Sequence, residues 1–157
     1  MEIRKKVINK YLKEYWQDRV VLRKQGPGRC GQYLILGTET GKIIGRLLEN
    51  KQGWYALVCF YDNQEPLVDV YDRHVFDRYS HRFLRNKGEG DREEVIRKFV
   101  GSGNCSGTVV LESTGEFSKR IKDGACFGNI KDDIIYHKTY MTDDMLVGNN
   151  REYLLDL

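Results

Sequence analysis

Only 2 of the 157 residues are proline, and the 16 glycines are too few for a collagen-like chain. The longest unbroken apolar run is Trp54 to Tyr61, far short of a membrane span, and the opening MEIRKK leads into no apolar targeting segment. Among the four cysteines, Cys30, Cys59, Cys105 and Cys126, there is no CxxC pair; they lie 29, 46 and 21 positions apart, which excludes a zinc ribbon and a small secreted disulfide scaffold. Net charge is only +3, so total charge points to no partner. These absences predict a cytoplasmic protein with reduced thiols.

What is present is a globular composition: 40% apolar and 31% charged residues in a length suited to one domain. Charge is unevenly distributed. Residues 1–29 carry nine basic and three acidic side chains, residues 30–72 three and six, and residues 73–100 eight and five. Residues 101–140 balance at five and five, and residues 141–157 hold one and four. If the two basic blocks meet in the fold they make a surface for a polyanion, and the acidic tail either covers that surface or binds a basic partner.

Ile3, Val7, Ile8, Tyr11, Leu12, Tyr15 and Trp16 recur at helical spacing, predicting an amphipathic helix over about residues 2–20 within the N-terminal segment 1–25. GPGRCG at 26–31 reads as a loop. Residues 30–71 read as an antiparallel meander of strands 33–36, 42–49, 54–61 and 67–71 with intervening turns. Residues 72–100 hold two helices. The first, 72–85, places Val75, Phe76, Tyr79 and Phe83 on a core side. The second, 91–100, has Asp91 and Glu94 at capping-box spacing. The Gly-rich stretch 101–107 follows a helix and lacks the lysine of a phosphate cradle, so it reads as a flexible loop. Strands 108–112, 117–121 and 134–141 follow within a β-rich region, residues 108–141, and then comes an acidic tail, residues 142–157. The predicted fold is α+β: one domain, an antiparallel sheet packed with the N-terminal helix and two short central helices.

The site candidate is the cationic band of the first central helix. His74, Arg78, His81, Arg82 and Arg85 gather beside its core face. Imidazole moves protons near neutral pH and guanidinium holds phosphate, the needs of RNA cleavage. His74 and His81 are separated by about 10.5 Å along the axis, too far to share a metal ion; no metal or cofactor is expected. An acid–base pair would instead join one of them to the last strand, where alternation puts His137 and Thr139 on one side, and Tyr136, Lys138 and Tyr140 on the other.

RHVFDRYSHRF, the helix EEVIRKFV, a Gly-bearing turn and strands ending in IIYHKTYM together resemble the small metal-independent ribonucleases of the barnase, EndoU, colicin and RelE type, many of them toxins. The resemblance covers about residues 70–145; residues 1–70 have no counterpart in it. It implies helices preceding an antiparallel sheet, with His74 and Arg78 as a helix HxxxR pair and Thr139 or Tyr140 as the late-strand polar residue. Two readings stand. One is a toxin-like, RNA-directed endoribonuclease using His74 or His81, with Arg78 and Arg82 on phosphate. The other is a non-catalytic protein binding a neutralising or other protein partner, or a polyanion, through the basic helix and the aromatic-rich meander, since 10 Tyr, 2 Trp and 6 Phe exceed what such a core clearly needs.

Overall fold

The computed structural model describes residues 3–51, 53–61, 68–86 and 91–157. Among the described residues nine strands form one sheet, confirming the α+β class. Strands β1 (Gly28–Cys30), β2 (Tyr33–Thr38), β3 (Gly41–Asn50), β4 (Gly53–Phe60) and β5 (Val68–Asp72) run as an antiparallel meander. Strands β6 (Thr108–Leu111), β7 (Glu116–Ile121), β8 (Gly124–Lys131) and β9 (Ile134–Met141) make a second one. The two halves join where β5 and β9 pair in parallel, from Val68↔Ile134 to Tyr71↔His137. Between them in sequence come helices α2 (Arg73–Arg82) and α3 (Arg92–Gly101).

Helix α1 (Lys5–Arg23) lies on one face, where Ile8, Tyr15 and Leu22 are buried with Ile35, Val58, Phe60 and Tyr136. Tyr15 stacks on Phe60 at 4.8 Å, and Arg46 is held between Glu14 at 3.1 Å and the ring of Tyr11. On the opposite face, Val75, Phe76 and Tyr79 of α2 and Ile96, Phe99 and Val100 of α3 meet Leu57, Tyr71 and Tyr140 of the sheet. The periodicity that predicts these helices therefore marks their buried stripes, because each stripe must leave water against a sheet face.

Several expectations need correction. Within the expected loop 26–31, Gly28–Cys30 pairs with β2 as a short strand. Strand β8 has no counterpart among the strands expected from sequence, as Gly124, Cys126, Gly128 and Asn129 have little β-propensity. Its glycines are demanded by close approach: a Cβ on Gly128 would lie 1.7 Å from the carbonyl oxygen of Tyr136. Phe83 caps α2 outside the core and stacks on Tyr79 at 5.1 Å. Asp91 caps α3 by accepting from the Glu93 amide, while Glu94 turns outward to Lys98 at 3.1 Å. The stretch 101–107 is anchored rather than loose, since buried Asn104 donates to Phe99 O at 3.0 Å and to Asp123 at 2.8 Å. Residues 142–157 are not a free tail. They fold as α4 (Asp143–Gly148) and a 3-10 helix (Glu152–Asp156), burying Leu146 and Leu154 against Ala125 and Phe127. The turn expected at 62–66 lies outside the described residues. No helix among the described residues is long and apolar enough to cross a membrane.

Candidate functional site

β9 has a partner on its β5 side only from Ile134 to His137, because β5 ends at Asp72 and the chain turns into α2. The Asp72 side chain starts the helix by accepting from the His74 amide at 2.9 Å. α2 then packs along the stretch of β9 that β5 leaves uncovered. Its arginines satisfy that edge: Arg78 donates to Thr139 Oγ1 at 2.6 Å and Arg82 to the Tyr140 carbonyl at 2.5 Å. A buried or half-buried strand edge must have its carbonyls paired, and guanidinium does this while keeping donors to spare.

The same corner is braced from below. Tyr79 Oη donates to Asp123 at 2.8 Å, and Tyr140 Oη donates to the Asp123 carbonyl. Burial raises the pKa of both tyrosines, so both hydroxyls stay protonated as donors. Burial, then the neighbouring Arg78, lowers the pKa of Arg82; a guanidinium nevertheless remains a cation at neutral pH. The corner thus carries two positive charges, a hydroxyl and, one turn before Arg78, the exposed His74.

His137 does not belong to that surface. It is 1% exposed, its ring stacks on Tyr71 at 4.0 Å, and Nδ1 lies 3.2 Å from the Val70 carbonyl. Nε2 faces the Lys119 ammonium at 3.4 Å, so Nε2 accepts and Nδ1 carries the proton toward Val70. Burial, reinforced by Lys119, pushes its pKa well below the ordinary value of 6.5 and keeps the ring neutral. The strand alternation also breaks. Gly128 pairs with His137 but Phe127 pairs with Thr139, so Lys138 is an extra residue and the faces exchange. His137 and Tyr140 consequently share the α2 side, while Arg78 reaches Thr139 around the open strand edge.

His81 occupies a different setting. It lines an open groove of about 910 Å³ between α2, α3 and the β3–β4 end, with Trp54 and Phe76 among its walls and Asp77 beside it. Neither Arg78 nor Thr139 lines this groove. Arg82 and Arg78 therefore face β9, His74 stands exposed, and His81 borders the groove, so the cationic band divides among three surroundings. The two basic blocks are also separated, with α1 on one face of the sheet and α2 on the other. The acidic C-terminal segment engages a local partner, Asp143 with Arg120 at 2.5 Å.

Sequence reasoning missed the polar cluster around Lys119, formed by His137, Asp69, Cys59 and Cys105. No spacing in the chain signals it, since its members come from β4, β5, β7, β9 and the α3–β6 turn. Among the described residues no three His, Cys, Asp or Glu side chains converge as metal ligands. Comparison with protein-family models, curated proteins and solved structures finds no match for this chain.

Proposed function

We propose that the α2–β9 corner binds the phosphodiester backbone of RNA and cleaves it without a metal ion. Arg78 and Arg82 hold the phosphate, and His74 serves as the proton-transfer group. The observation that carries this reading is the Arg78–Thr139 hydrogen bond at 2.6 Å. It unites the helix arginine and the late-strand hydroxyl of the ribonuclease-like pattern, within a helix–helix–four-strand segment in the order that pattern has. Thr139 orients one arm of the guanidinium and leaves the remaining N–H groups for the equatorial oxygens of the phosphorane. His74 is near enough to Arg78, with Cβ atoms four helical positions apart separated by about 5–6 Å, to act on the 2′-hydroxyl of a phosphate bound there.

Single-stranded RNA incubated with the protein in EDTA should yield fragments ending in 2′,3′-cyclic phosphate. A strand with one 2′-deoxy position should resist at that position. His74→Ala should slow cleavage by about 100-fold or more while RNA binding persists. Arg78→Ala and Arg82→Ala should weaken binding itself.

The burial of His137 favours a second reading, binding without cleavage, because it withholds one of the 3 imidazoles from any ligand. RNA that stays intact yet binds in an Arg78-dependent manner selects that reading. Absence of both binding and cleavage removes the two together.

A further inference from the structure

Thr139, whose hydroxyl accepts from Arg78, also borders an open concavity of about 390 Å³. Phe127, Asn129, Glu116, Lys138 and Arg151 line it as well. It lies on the α1 side of the sheet, because Asn129 pairs with Tyr136, which packs with α1. We propose that this concavity is a base subsite: it takes the nucleobase next to the phosphate held at the α2–β9 corner and selects a base with an exocyclic amino group, as in adenine or cytosine. This inference rests on the reading of that corner as an RNA site.

Two adjacent rows of the sheet build the subsite. Thr139 and Phe127 stand opposite each other on β9 and β8, and Asn129 and Glu116 stand opposite each other on β8 and β7. Phe127 and Asn129 are two residues apart on one strand, so both rows share a face and lie about 6.6 Å apart. A phosphate beside Thr139 and a base edge at Asn129 are therefore within the reach of a single nucleotide. Half-buried Arg151 sits over the Phe127 ring at 4.4 Å. With one side of its guanidinium plane against that ring, the other is a platform for an unstacked base, which such planes bind as aromatic rings do. Lys138, the extra residue of the β9 bulge, adds positive charge beside Thr139 for the phosphodiester.

Selection falls to Asn129 and Glu116. Asn129 Oδ1 is buried without a hydrogen-bond partner. A buried acceptor left unmet is costly, and the terminal torsion of asparagine is soft, so the carboxamide turns to a ligand that supplies a donor. Adenine and cytosine each present a ring nitrogen beside an amino group; the carboxamide donates to the first and accepts from the second. Uracil offers the reverse order, which a flipped carboxamide also matches. Glu116 breaks the tie: its exposed carboxylate accepts the second amino proton of adenine or cytosine and repels the uracil oxygen.

The test is fluorescence anisotropy of the full-length protein with labelled 2′-deoxy oligomers of adenine, cytosine or uracil. Wild type should bind the adenine and cytosine oligomers about 10-fold tighter than the uracil oligomer. Glu116→Gln, at an exposed position that leaves the fold intact, should bring the three affinities together. Arg151→Ala and Arg151→Lys should both weaken the adenine and cytosine oligomers, since lysine keeps the charge but loses the plane. Arg78→Ala should weaken all three alike, which separates the corner from the subsite. Equal wild-type affinities that still depend on Arg78 overturn the subsite and leave the corner. A preference that depends on Glu116 but not on Arg78 supports the subsite and removes the corner as the phosphate site. Binding of none of the oligomers overturns both.

Discussion

At the scale of single residues, His137 shows how burial assigns a role that residue type leaves open. An imidazole serves equally as proton carrier or core ring, and here a stack on Tyr71 and a bond to Val70 settle the matter. The consequence is measurable in stability. Below pH 6.5 the unfolded chain protonates this histidine, while the folded protein, with its pKa depressed, does not. Stability supplied by the neutral ring is thus complete above pH 6.5 and lost as pH falls through 6.5 toward the folded value. Between pH 7 and 5, wild type should lose up to about 1.4 kcal/mol per pH unit more than His137→Phe. Asp69 contributes oppositely, its pKa being raised chiefly by burial, but it is common to both proteins. Denaturation midpoints across that pH range give the comparison, and parallel curves would show that His137 titrates normally.

At the scale of elements, the strand β8 and the bulge opposite Lys138 explain what is legible in the chain. Runs such as Ile43–Leu48 and Trp54–Tyr61 announce strands because β-branched and aromatic residues repeat with turns between them. β8 is chosen by its neighbours instead: Gly128 accommodates the Tyr136 carbonyl and Gly124 that of Met141. Tertiary approach of this kind has no local signature. Gly128→Ala should lower stability by at least about 2 kcal/mol, as read from chemical denaturation, because backbone rather than a flexible side chain must move. A stability unchanged within error would mean that the sheet yields at this point. The helix–strand pair Arg78 and Thr139 is legible only to a degree: periodicity finds the residues and their elements but not the faces of β9, since one extra residue reverses alternation.

At the scale of the whole molecule, the sheet joins two meanders through the short parallel pairing of β5 with β9, and that junction creates the site. Since β5 stops at Asp72, four residues of β9 project past it, and α2 fills the space with arginines. The sequence predicts the two basic blocks but not their separation, because position across a sheet depends on chain path rather than composition. α1 and α2 lie on opposite faces of the sheet, so their basic residues form two separate surfaces. The central claim is that RNA chooses the α2–β9 corner. It is tested most directly by NMR, adding a fully 2′-deoxy oligonucleotide, which lacks the 2′-hydroxyl that the proposed cleavage needs, to the isotope-labelled protein. Resonances of His74, Arg78, Arg82, Thr139 and Tyr140 should shift together and saturate. Shifts confined to Lys5, Lys6, Lys10 and Lys13 of α1, or no shifts at all, would contradict the account.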